Sequence, residues 1–245
     1  MIDFNAYIGE WPFYKLPRHT LRDMLEVHKD NGIDGAYVSS VHSIFYNDFY
    51  ESEKDLANIL KDSSYFHVVT VNPALPECEI TLRRCIKEFD VKGIRIHPGY
   101  HGYSLTSDLL TRVVAVAEEY DLPIFVTARM MGARLTHMMH IPPIAAEELK
   151  EFIERYRNVK IILCHFDYSE IIALGEVLFE HPRLYTDITS FCGNLFGDKN
   201  IEIFKKAVFG SGFPLYPVAT PAMIIKNELE DEAILAQFIK NSTTC

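Results

Sequence analysis

Groups able to move protons or hold charge are not spread evenly along this chain; they gather in a few short segments. "IRIHPGYHGY" carries Arg95, His97, Tyr100 and His101 within seven residues, "CHFDYSE" places His165 two residues before Asp167, and "TDITS" pairs Asp187 with Thr189. Asn5 and Tyr7 stand near the amino terminus, Thr127 and Arg129 in "VTARMMGAR", and His42, Asn72 and Ser211 follow three further apolar runs. Imidazole is the side chain that ordinarily titrates nearest neutrality, so His165 and His97 are candidate proton-transfer groups, with Asp187 the matching carboxylate. Asp167 competes with Asp187 for that role. A guanidinium fork fits a carboxylate, which makes Arg129 or Arg134 a clamp for an acidic ligand or, equally, a surface ion pair with one of the many acids. Asn5, Tyr7, Arg95, Tyr100, His101 and Thr127 complete the set of groups that can contact a small substrate.

Plainer roles are available to several of these. His42 and His97 can be hydrogen-bonded structural residues, and His97 can simply fix the Pro98-Gly99 turn. His137 and His140 have the i, i+3 spacing of a ligand pair on one helical face, but neighbouring methionines and Pro142-Pro143 predict a loop lip instead. Trp11, Phe45, Tyr46, Tyr100 and Tyr103 suit the wall of a partly apolar pocket, or the centre of a homodimer surface.

Elements that bring such distant groups together are written in the chain's rhythm. Short apolar runs alternate with longer amphipathic stretches, the pattern of parallel strands joined by covering helices. Eight strands are predicted, at 2–5, 35–39, 67–71, 93–97, 124–127, 160–165, 184–188 and 206–209. Thr20, with Asp23 three residues on, reads as a helix start, and Asn31-Gly32 as its end. Further helices are expected at 104–120 and 144–156. The fold class that follows is α/β, a (β/α)8 TIM barrel in a single domain, 1–245. In such a barrel the polar residues at the carboxyl ends of the strands share one site. A doubly wound open sheet is the rival, disfavoured because the first strand leads into Ile8-Gly9-Glu10-Trp11-Pro12-Phe13 rather than a glycine-rich phosphate loop.

Composition narrows the partners. The balance of 34 acidic against 24 basic residues gives a net charge of −10, without a basic stripe to follow a phosphate backbone, so no nucleic acid is expected. The start lacks a basic segment and no apolar run reaches about 18 residues, which predicts no membrane association and a cytoplasmic protein. Five scattered cysteines without a C-x-x-C pair predict reduced thiols rather than a disulfide framework or a zinc ribbon.

The segments "IDFNAYIGEWPF", "VKGIRIHPGYHGYSL", "LPIFVTAR", "NVKIILCHFDYSEI" and "FGSGFP" resemble those of the amidohydrolase-related family of metal-dependent barrels, a branch of which decarboxylates aromatic or unsaturated acids. The resemblance spans nearly the whole chain. It implies a His-x-His pair at the end of strand one, a histidine on strand five, one on strand six and an aspartate on strand eight. Here the first pair is Asn5 and Tyr7, the strand-five position is Thr127 and the strand-eight position is Gly212; the strand-six histidine alone is kept, as His165. A catalytic zinc usually needs about three His, Asp, Glu or Cys ligands, so no metal cofactor is expected; were a metal held, His97, His101 and His165 would be its sources.

Two functions follow as expectations. One is an enzyme of hydrolase or decarboxylase type, acting on a small carboxylic acid or amide with His165 as general acid and base. Decarboxylation asks less of the missing metal than hydrolysis, because hydrolysis needs an activated water. The alternative is a catalytically silent barrel binding a small metabolite or a partner subunit.

Overall fold

The computed structural model describes residues 1–132, 139–191 and 201–244. Eight strands, β1 (Ile2–Ile8), β2 (Gly35–Ser40), β3 (Phe66–Val71), β4 (Val91–Ile96), β5 (Ile124–Thr127), β6 (Ile161–Cys164), β7 (Leu184–Asp187) and β8 (Ala207–Val208), form one sheet in that order. Every neighbouring pair is parallel. Past the end of β8 the chain returns to β1: Phe4 N–H donates to Phe209 O, Tyr7 N–H to Phe213 O and Gly212 N–H to Asn5 O, each at 2.8 Å. These bonds close the barrel and dispose of the open-sheet rival.

Helices accompany the strands: α1 (Leu21–Asp30), α2 (His42–Phe45), α3 (Tyr50–Leu60), α4 (Cys78–Glu88), α5 (Pro98–His101), α6 (Leu109–Glu119), α7 (Ala146–Arg155), α8 (Tyr168–Ile172), α9 (Glu176–Glu180), α10 (Ala219–Glu228) and α11 (Glu232–Thr244). The expected start of α1 is present as a capping box, with Thr20 Oγ1 accepting from Asp23 N–H at 3.2 Å and Asp23 accepting from Thr20 N–H at 3.0 Å. At its end Gly32, not Asn31, takes the left-handed conformation, with φ +68°. Helix α6 begins only at Leu109, because Ser104 and Leu105 are spent on the Glu148 carboxylate of α7. Strand β8 is shorter than expected; α11 supports it, Ser242 Oγ accepting from Phe209 N–H and Asn241 donating to Ala207 O.

Two apolar layers result. Between strands and helices lie residues such as Leu56, Leu82, Val113, Phe152 and Phe238. Inside the barrel, Phe4, Val68, Phe125, Ile162, Cys164 and Val208 form a plug. Alternation along β1 is interrupted once, by a register shift between Asp3 and Ala6. Asp3 faces outward and stabilises the irregularity, its carboxylate accepting from the N–H groups of Asn5 (2.9 Å) and Ser211 (3.0 Å) and approaching His28 Nε2 at 3.2 Å. The consequence is that Phe4, Asn5 and Tyr7 all point inward, which strict two-residue alternation forbids.

Candidate active site

On β4 the same alternation sends Ile94 and Ile96 to the outer layer and Gly93 and Arg95 inward. Gly93 leaves room for the ring of Phe125, which a Cβ there would approach within 2.6 Å. Arg95 is fully buried above that plug. Its Nη1 donates to Asn5 Oδ1 at 2.6 Å, Tyr7 Oη at 2.7 Å and Thr127 Oγ1 at 3.2 Å; its Nε donates to Ser39 Oγ at 2.9 Å. The guanidinium carbon also sits over the rings of Tyr7, at 4.6 Å, and Phe125, at 4.9 Å. Among the described residues no carboxylate makes an ion pair with Arg95, and the nearest acid in its network is reached through an amide: Asn5 Nδ2 donates to Asp187 Oδ2 at 2.6 Å.

Asp187 ends β7 fully buried. One oxygen also accepts from Thr189 Oγ1 at 2.7 Å and the other from the backbone N–H of His165 at 3.1 Å. Burial pushes its carboxyl up to about 6, against those hydrogen bonds and the Arg95 charge. The held His165 follows β6 with φ +57°, a left-handed conformation uncommon outside glycine, although asparagine, aspartate and histidine adopt it more often than other residues. Its ring is wholly buried, and neither nitrogen has a hydrogen-bond partner among the described residues. Burial brings its imidazole down to about 3, assisted by Arg95 and Arg129. Tyr216 packs beside it, ring centroids 5.4 Å apart. Gly212 makes this packing possible: a Cβ there would lie 2.9 Å from both rings and 2.6 Å from Thr189, and its φ is +68°.

His97 follows β4 at 0% exposure, Nε2 3.4 Å from Tyr7 Oη and Nδ1 unpartnered among the described residues. Burial, His101, Arg95 and His165 all hold it well below its ordinary value. Asn5, Tyr7, Arg95, His97, Thr127, His165 and Asp187 thus share one end of the barrel, as the strand-end rule expects. The remaining candidates are turned to other partners. His101 Nε2 is bound to Ile44 O at 2.9 Å, and Tyr100 Oη accepts from Met130 N–H at 3.2 Å. Arg129 is gripped by Glu170 at 2.9 and 2.5 Å and lies 3.3 Å from Asp167, which is the ion-pair alternative rather than a free clamp. The aromatic set is partly an internal cluster, Trp11 against Phe45 at 5.6 Å and Phe45 against Tyr100 at 6.1 Å, with Tyr46 left exposed. Arg134 and His137 lie outside the described residues. Ser39 and Tyr216 escaped notice in the sequence: Ser39, the polar residue ending the strand predicted at 35–39, could have been found by the strand-end rule, whereas Tyr216 sits in a proline-rich turn without a signal in residue type or spacing.

These residues do not fit a divalent metal. Of the five positions the resemblance implies, four offer an amide, a phenol, a hydroxyl and no side chain, the fifth keeps His165, and a positively charged nitrogen already stands among the first three. Among the described residues no cluster of three or more His, Cys, Asp or Glu is disposed to hold a metal ion. No described helix is long and apolar enough to cross a membrane.

Searching curated proteins with the sequence finds no match. Solved structures share the fold at low identity. They include 5-carboxyvanillate decarboxylase from Sphingomonas paucimobilis (11% identity, TM-score 0.69, covering 98% of this chain and 96% of that one). A probable 2-pyrone-4,6-dicarboxylic acid hydrolase from Acinetobacter baumannii is similar (10%, 0.65, 98% and 96%). So is a dihydroxybenzoic acid decarboxylase from a Polaromonas species with bound manganese and 2-nitroresorcinol (13%, 0.65, 97% and 93%). A family model described as amidohydrolase matches residues 44–240. With most of its length so matched, the chain belongs to the amidohydrolase family.

Proposed function

We propose that this protein is an enzyme acting on a small carboxylic acid, with decarboxylation its chemistry, and that it works without a divalent ion. The observation carrying the reading is His165: a buried imidazole in a left-handed backbone, held by Asp187 yet with both ring nitrogens unused among the described residues. Buried polar atoms are ordinarily bonded, and strained residues collect at working sites. Similarity in fold to decarboxylases and a hydrolase of carboxylated rings supports the same substrate class.

Chemically, the bond from carbon to the carboxylate breaks and leaves its electron pair on carbon, which takes one proton, so that RCOO⁻ and H⁺ give RH and CO₂. His165 is the donor of that proton. In the empty site burial keeps it neutral; an anion alongside it supplies the opposite charge that favours imidazolium. After transfer the neutral ring regains a proton from water. General acid catalysis accounts for about 10²–10⁴ in rate; positioning of the substrate and the positive field of Arg95 supply the rest.

The test is turnover of metal-free protein over a panel of hydroxylated benzoates and pyrone carboxylates, followed as CO₂ release. Activity lost in His165→Asn and unaffected by chelators is the expected result. A second reading, the silent barrel, is favoured by the internal commitments of Arg129 and Asp187; panel members that raise the melting temperature yet remain unchanged would establish it instead.

A further inference from the structure

The geometry points to Arg95 as the resident cation of this barrel: its Nη1 occupies the place, among Asn5, Tyr7 and Thr127, where the family's divalent ion would sit, and it keeps such ions out. Three facts carry this. The side chains at the family's strand-one and strand-five ligand positions all converge on that one nitrogen, within 2.6–3.2 Å. They are neutral oxygens, acceptors to which a guanidinium N–H can donate, whereas imidazoles in their place would compete with it for protons or stand unpaired. The charge is built in rather than incidental, because a wholly buried guanidinium is costly and this one donates hydrogen bonds from Nε, Nη1 and Nη2.

Asp187 then acquires a defined task. It balances Arg95 at one remove, through Asn5, while its other oxygen fixes the backbone of His165. The cationic centre is therefore tied to the acid-base residue through two side chains and no metal. The fixed charge also lies near the carboxyl ends of the strands, where it favours a carboxylate ligand. This inference shares with the proposed function its independence of metal, but not its turnover.

Two measurements test it. Wild-type protein from cells grown with added manganese and zinc is expected to hold far less than one equivalent of either by elemental analysis. An equivalent retained overturns both metal-free claims, without any variant having to fold. The second compares Asn5→His/Tyr7→His/Thr127→His with the same variant carrying Arg95→Met as well, by manganese titration followed by electron paramagnetic resonance. A positive charge a few ångströms from a divalent ion in a buried site costs far more than a tenfold change, so the arginine-free variant should bind manganese more than about 100-fold more tightly. Equal affinity, or tight binding with Arg95 present, overturns the role of Arg95 and leaves the decarboxylase reading standing; absence of turnover alone sinks that reading and leaves this one.

Discussion

His165 and Gly212 both need left-handed backbone, yet they answer differently to substitution. Asparagine adopts that conformation readily, so His165→Asn is expected to fold with nearly wild-type stability, while removing the imidazole from the site. A large fall in melting temperature on that change would mean that the ring serves packing. Gly212→Ala adds a Cβ at φ +68° within 2.6 Å of Thr189 and 2.9 Å of His165 and Tyr216. Conformational cost and overpacking add, so urea denaturation should report a loss of about 2–4 kcal/mol. The position where the resemblance places an acidic ligand is therefore closed sterically as well as chemically.

At the scale of elements, the site depends on how β1 is held. Asp3 joins three pieces of chain: the irregular stretch of β1, Ser211 after β8, and His28 on α1. Burial works against its charge, but His28, Ser211 and the Asn5 N–H prevail and hold the carboxyl below its ordinary value. Asp3→Ala removes one partner from a buried charged network and should cost about 3–5 kcal/mol in denaturant unfolding. Because Asp3 sets the turn that directs Asn5 inward, the variant should also lose activity beyond its stability loss, measured well below its melting point. Parts of this were legible beforehand and parts were not. The capping residues of α1 act through neighbours three positions apart, so Thr20 and Asp23 announced themselves. An aspartate stabilising a bulge from outside the barrel does so partly through Ser211, 208 positions away, and nothing near Asp3 signals it.

For the molecule as a whole, the buried histidines set the response to acid. His165 is brought down to about 3 and His101 to about 4, and His97 is held well below the ordinary value near 6.5, all by burial first. Above that ordinary value they are neutral in both states and contribute no pH dependence. As pH falls below it, the unfolded chain takes up protons that the folded chain refuses, so stability declines. Asp187, raised to about 6, acts in the opposite sense, since the folded state takes up its proton first as pH falls from about 6 toward 4. His181 is lowered by burial as well, so four histidines against one carboxyl leave a net uptake of protons on unfolding. Calorimetry should show the melting temperature falling between pH 6.5 and 4.5, by less in His165→Asn; a flat profile would contradict the burial of these rings.

What the amino-acid sequence determined alone was the alternation of apolar runs and amphipathic stretches, hence eight parallel strands, the family, and the replacement of imidazoles by Asn5, Tyr7 and Thr127. Those are matters of local periodicity and residue type. That the charge of Arg95, already a candidate contact in the fourth predicted strand, lands among three side chains drawn from β1 and β5 was decided only by closure of the barrel. Closure fixes which alternate residues face inward and brings together groups far apart in the chain, and no short-range pattern records either outcome.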